Sequence, residues 1–262
     1  MKIEKILITG ASGYLAGFVI ARLRTRYKLT LTDRIPPDAD RSDLPFMLAD
    51  ITSQTSIEQA CQGQDAVAHL VALVRERFDK PVSLFADVMV KGTWTVAEAC
   101  VRQKVKRLVN ISSIAACPPA PDSQVPYRPD DAFRFRSGDL NYSLAKYLCE
   151  QVGLAYHQAH GLSVIHLRPG VIAGDGLNPG PKASDAKSES WFVYVDPRDV
   201  AQAVECAVEA QNVSYGVYNV IAGREDARFA WAQTAEELGY RPAYNWPEIP
   251  VSQPVRSVYL PT

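Results

Sequence analysis

The run Ile6-Leu7-Ile8-Thr9 passes without a linker into Gly10-Ala11-Ser12-Gly13-Tyr14-Leu15-Ala16-Gly17, and no other stretch constrains the fold as strongly. Continuous β-branched and apolar residues read as a buried parallel strand. The small residues that follow let a tight turn open directly into a helix, from Gly13 to about Arg26. Amides at such a helix start face an anion, and glycine removes the Cβ that would block its approach. The spacing Gly-x-x-Gly-x-x-Ala differs from the Gly-x-Gly-x-x-Gly dinucleotide fingerprint. Taken alone, the turn could be no more than a strand-to-helix connection.

Its context says more. About twenty residues later comes Leu29-Thr30-Leu31-Thr32-Asp33, a second strand ending on a carboxylate. There Asp33 can accept hydrogen bonds from the adenosine ribose hydroxyls and repel a 2′-phosphate. Arg34 tempers that repulsion, so NAD is expected over NADP. Gly10, Ser12, Gly13, Tyr14 and Leu15 would form the pyrophosphate turn.

The 262 residues, 47% of them hydrophobic, suit one large α/β domain with a small appended lobe. A net charge of −1 without a basic run points away from nucleic acid and anionic membranes. The five cysteines are scattered without a Cys-x-x-Cys pair. They read as thiols of a reducing compartment, not as a disulfide framework or a metal site. Met1 leads almost at once into the first strand, and apolar runs are short, so a cytoplasmic protein is expected.

Further strands are expected at Phe46–Ala49, Ala66–Val71, Arg107–Ile111, Ser163–Leu167 and Tyr215–Ile221. Helices are expected near Ser56–Gln62, Val82–Gln103, Tyr142–His160 and Pro197–Ala210. This alternation implies a Rossmann-type, doubly wound parallel sheet with helices on both faces. Residues 115–140 and 174–190 read as long loops, and the proline-rich end cannot form a long helix. The expected division is a core of about 1–170 plus 197–222, with a C-terminal substrate lobe of about 171–196 and 223–262.

Tyr142-Ser143-Leu144-Ala145-Lys146 is the only Tyr-x-x-x-Lys in the chain. On a helix this spacing puts phenol and ammonium on one face. A free tyrosine titrates near ~10, too high for a base at neutral pH, and an adjacent cation lowers that value. The pair could then move a proton on or off a substrate oxygen as a hydride moves. The strand Arg107–Ile111 precedes it and ends in Ser112-Ser113, hydroxyls at a strand terminus where α/β sheets bind ligands. Each feature alone has an ordinary structural explanation.

Together these motifs resemble the extended short-chain dehydrogenase/reductase family, also called the NAD-dependent epimerase/dehydratase family. The resemblance spans about residues 3–222. It takes in Thr9–Ala16, Asp33, Asp50-Ile51, His69–Ala72, Lys91-Gly92-Thr93, Ser112-Ser113, Tyr142-x-x-x-Lys146, Leu167–Gly170 and Val195-Asp196 with Asp199–Ala201. It implies Tyr142 as the proton-transfer residue, Lys146 as its partner and nicotinamide-ribose ligand, and Ser113 as the holder of the substrate oxygen. Asp50 would meet the adenine, and Ile51 beside it would also contact the cofactor. Leu70, Val71, Ala72, Ile111, Pro169 and Val171 would line the cofactor groove. Dimerisation through the Val82–Gln103 and Tyr142–His160 helices is also implied.

Departures from the family pattern bear on the chemistry. An asparagine that usually supports the proton path is Met89 here, and a thioether cannot donate. Dehydratases carry acidic residues where Ile114 and Ala115 stand, so dehydration is disfavoured. Only about twenty-five residues separate Pro169 from Val195, too few for the helical insert that holds a nucleotide sugar. A small, free substrate is therefore expected, and the compact layout is similar to uronate dehydrogenases. Those carry an arginine where only Lys182 and Lys187 occur, and lysine lacks the planar fork. Arg75, after the fourth strand, is the leading candidate for an anionic substrate group, with Arg77, Arg128, Arg134 and Arg136 as alternatives. Three functions stay open: an NAD-dependent dehydrogenase, an NAD-retaining epimerase, and a non-catalytic dinucleotide sensor.

Overall fold

The computed structural model describes residues 2–73, 80–120, 123–174 and 193–247. Seven strands form one sheet: β1 (Lys5–Thr9), β2 (Lys28–Asp33), β3 (Phe46–Leu48), β4 (Ala66–His69), β5 (Arg107–Ile111), β6 (Ser163–Pro169) and β9 (Tyr215–Val220). Their spatial order is β3-β2-β1-β4-β5-β6-β9, and every adjacent pair is parallel. A separate parallel pair joins β7 (Val171–Ile172) to β8 (Tyr194–Val195).

The apolar runs split between the two faces of the sheet by strand periodicity. Ile6, Ile8, Ala66, Ala68, Val109, Ile165 and Leu167 point to one face, against α1 (Tyr14–Leu23) and α6 (Pro197–Glu209). Leu7, Val67, Leu108 and Val164 point to the other, beneath α2 (Gln54–Cys61) and α4 (Gly92–Arg102). Both faces are covered, as the unbroken hydrophobic strands require.

Some boundaries differ from expectation. Strand β4 stops at His69 instead of reaching Val71. Its neighbour β1 turns away at Gly10, and the bond from Leu70 N to Thr9 O (3.2 Å) is the last one available. The expected helix Val82–Gln103 consists of α3 (Val82–Leu84), a π-helical turn at Phe85–Lys91, and α4. The π turn contains Met89. Helix α5 (Leu140–His160) begins two residues before Tyr142, and α7 (Ala232–Leu238) was not anticipated. The described residues of the expected loop 115–140 are largely irregular apart from two short 3-10 turns, with one bridge between Pro119 and Phe133 and another tying Tyr127 to Phe229. Of the expected loop 174–190, all but Gly174 lies outside the described residues.

Candidate active site

The strand registers bring the motifs to one edge of the sheet. Thr9 lies beside both Thr32 and His69, His69 beside Asn110, and Ile111 beside Leu167. Gly10, Asp33, Leu70, Ser112 and Pro169 therefore all stand at or just beyond the carboxyl ends, where open α/β sheets take their ligands.

Gly10 has φ +72°, and a Cβ there would lie 3.1 Å from Val71 N and 3.2 Å from Leu70 C, both backbone atoms that cannot swing aside. Gly13 N donates to Gly10 O at 3.0 Å and caps α1 from an extended conformation. The Asp33 carboxylate braces this turn, accepting from Ser12 N at 3.0 Å and Arg34 N at 2.7 Å. Asp50 accepts from the Thr52 amide and hydroxyl, both at 2.8 Å, and these bonds hold its carboxyl below the usual range. Ile51 lies against Gly92, whose missing Cβ leaves 3.1 Å to its side chain. Ser12, Tyr14, Leu15, Asp33, Val71 and Ala72 are partly exposed, and Asp50, Arg34 and Val171 more so.

Sequence reasoning missed Arg41. This nearly buried side chain donates from Nη1 to Ala11 O (2.7 Å) and Gly13 O (3.3 Å) while pairing with Asp38 and Asp40. It fastens the carbonyl side of the glycine turn, while the amides of Ala11, Ser12 and Gly13 donate to Thr32 O, Asp33 and Gly10 O. No local pattern reveals this, because residue and turn are thirty positions apart.

On the other side of the edge, Tyr142 and Lys146 are 5% and 3% exposed. Lys146 Nζ donates to Ile111 O at 2.5 Å and lies 6.0 Å from the centre of the Tyr142 ring. Burial lowers the Lys146 pKa, while Cys149 and Glu150 act in the opposite direction. Ser113 Oγ accepts from Ala115 N at 3.1 Å, which leaves its hydroxyl proton for a reacting oxygen. The short turn Ile114–Ala116 follows, and Ala115 packs against the cluster of Phe85, Met89, Tyr142, Ala145 and Cys149. Ser113 thus precedes a turn that packs on the cluster containing Tyr142, and Lys146 reaches the last carbonyl of β5.

Around Met89 the side chain supplies only apolar packing, and its carbonyl accepts from Cys149 Sγ at 3.3 Å. Thr93 Oγ1 lies 3.2 Å from His69 Nε2, and His69 Nδ1 lies 2.7 Å from Thr9 Oγ1. A buried polar thread therefore runs from Thr9 at the end of β1 through His69 to Thr93 of α4. Burial holds the His69 pKa at about 3, so the ring is neutral.

Arg75, Arg77, Lys182 and Lys187 lie outside the described residues. Arg128 pairs with Asp130 within its own loop, and Arg134 and Arg136 are exposed. Among the described residues no cluster could hold a metal ion, and no helix is long and apolar enough to cross a membrane.

A glycine turn, a carboxylate ending the second strand and a tyrosine–lysine helix at one parallel sheet edge define a dinucleotide-dependent oxidoreductase of the short-chain type. The chain belongs to the NAD dependent epimerase/dehydratase family, which its residues 6–191 match. NAD is the cofactor, and the exposed start of α1 at Gly13 suits its pyrophosphate. The chain is similar to an NAD-dependent glucose-6-phosphate dehydrogenase of Haloferax volcanii, 26% identical over 92% of this chain and 94% of that protein. It is equally similar to an L-arabinose 1-dehydrogenase (NAD(P)(+)) of the same organism, at 26% over 92% and 97%. Among solved structures, uronate dehydrogenase from Agrobacterium tumefaciens superposes with a TM-score of 0.77 at 20% identity, covering 94% of this chain and 86% of that one.

Proposed function

We propose that this protein oxidises a small free sugar or sugar acid at a hydroxyl-bearing carbon. The observation that carries the reading is Lys146, buried and anchored to Ile111 O beside Tyr142, on the sheet edge that also bears the Gly10 turn and Asp33. Bound NAD supplies the hydride acceptor. Ser113 holds the reacting oxygen by its hydroxyl. Tyr142 takes the proton from that oxygen, or returns it in the reverse direction, and the Lys146 ammonium favours the phenolate that this requires. Two relatives aligned over nearly their whole length are sugar dehydrogenases by name. The short Pro169–Val195 connection suits a substrate without a nucleotide.

We assign the substrate lobe to residues 171–196 and 223–262, supported by the β7–β8 pair and by Tyr127 bridging to Phe229. Arg75 stays the candidate for a substrate anion. A homodimer through α4 and α5 is supported by Trp94, Leu144 and Leu148, which are 57%, 38% and 38% exposed. On α5 these leucines lie opposite Tyr142 and Lys146. Leu144→Glu should yield a monomer by light scattering. A reducing, cytoplasmic setting suits the buried free thiols of Cys61, Cys100 and Cys149.

The test is a screen of aldoses, uronic acids, polyols and hydroxy acids with NAD, followed by NADH absorbance. NADH formation from a sugar or sugar acid, abolished in Tyr142→Phe with NADH affinity retained, is the expected result. Interconversion of sugars without net NADH would make the protein an epimerase. NADH binding without turnover of any substrate would make it a sensor.

A further inference from the structure

Helix α5 carries a third polar residue in line with the catalytic two. Tyr142, Lys146 and Glu150 fall at i, i+4 and i+8, one stripe of the helix. Glu150 is 2% exposed and Arg168 is 5% exposed. Glu150 Oε1 accepts from Ser112 Oγ (2.5 Å) and Arg168 Nε (2.8 Å), and Oε2 accepts from Arg168 Nη2 (2.7 Å). This bidentate fork has strict geometry. The far side of the same guanidinium reaches the loop after β5 at two separated points, with Nη1 donating to Pro129 O and Nη2 to Cys117 Sγ, both at 3.0 Å.

The loop is held from its other flank as well. Asn219 Nδ2 donates to Tyr127 O at 3.1 Å, and Tyr127 exchanges backbone bonds with Arg228 and Ala230. Phe133 and Phe135 close on Tyr147 of α5, with ring centres 5.3 and 5.8 Å away. Of these ties only Arg168 joins the middle of the loop to the stripe that bears Tyr142, and it does so through one charged pair. None of these groups touches the Gly10 turn or Asp33.

We infer that Glu150 and Arg168 are positioning residues for substrate recognition: the pair sets residues 115–120 and 123–133 in place beside Ser113 and Tyr142, and cofactor binding does not depend on it. The inference rests on the dehydrogenase reading for its kinetic part only. The pair acts through the loop and Ser112 and does not touch the reacting atoms.

Hydrogen exchange across the loop, NADH affinity and steady-state kinetics together test it. Arg168→Met should raise amide exchange in residues 117–131 at least about tenfold, with the rest of the sheet unchanged. NADH affinity should stay within about threefold, and KM for the sugar should rise about tenfold or more with kcat nearly kept. Arg168→Lys, which keeps the charge but loses the fork, should fall between. Breaking one half of a buried pair can unfold a protein, whereas replacing both halves by apolar groups is often neutral. The double variant Glu150→Leu/Arg168→Met is therefore expected to melt near the wild-type temperature and still show the mobile loop and raised KM. Unchanged loop exchange in the folded double variant, or a fall in kcat at constant KM, would overturn the inference. If no sugar is turned over, the dehydrogenase reading fails, while the exchange measurement still decides the loop.

Discussion

Replacing Lys146 by methionine isolates the electrostatic part of the proposed mechanism. The side chain is nearly isosteric, and the ammonium it removes lies 6.0 Å from the centre of the Tyr142 ring. At an effective dielectric of ~20, a unit charge at that range stabilises phenolate by ~3 kcal/mol, or about two pK units. The alkaline limb of kcat/KM should therefore move up by about two pH units, and the rate at neutral pH should fall about a hundredfold. At high pH much of the rate should return. Stability should move differently. Burial depresses the Lys146 pKa, so between the folded value and 10.5 the unfolded chain binds the extra proton. The charge thus costs stability at neutral pH, and that cost is relieved as pH rises through the folded pKa. Lys146→Met should accordingly melt no lower than wild type, apart from about 1–3 kcal/mol for the lost bond to Ile111 O. A pH–rate profile over the neutral to alkaline range, with thermal melts beside it, provides the assay. A fall in rate with no movement of the limb would refute the charge argument, and so would a loss of activity that tracked a collapse in melting temperature.

Asp33→Ala should weaken NAD about tenfold by removing a charged acceptor, and NADP by clearly less; equal losses in titrations of both would dismiss the specificity argument. Gly10→Ala meets a left-handed backbone (φ +72°) and two backbone atoms near 3.1 Å. It should cost about 1–2 kcal/mol in strain alone and displace the turn, seen as a lower melting temperature together with lost NADH affinity. Burial pushes His69 to about 3 and His166 to about 4, so both are neutral when folded and protonate only on unfolding below about 6.5. Stability should fall as pH drops through that window, by about 2 kcal/mol per histidine at pH 5. Urea melts at pH 7 and pH 5 should show that difference shrinking by about that amount in His166→Gln.

The elements that sequence alone determined are those whose cause is local. Ile6–Thr9 is a buried strand because its residues are apolar and β-branched, and the turn at Gly10 follows because glycine alone tolerates its backbone. Tyr142 and Lys146 share a face because an α-helix has 3.6 residues per turn. Glu150 continues the same stripe, so its place was legible, although its partner was not. Tertiary structure decided what depends on atoms far apart in the chain. Arg41 grips the carbonyls of Ala11 and Gly13 only because β2 returns beside β1. Arg107 opens β5, yet its guanidinium caps the end of α6, donating to Ala207 O at 2.9 Å and Val208 O at 3.1 Å across a hundred residues. Arg168 reaches Glu150, Cys117 and Pro129 at once because the ends of β5 and β6 are adjacent. Periodicity and propensity act over a few residues, whereas a buried charge can be satisfied only by whatever polar groups the folded chain brings within about 3 Å.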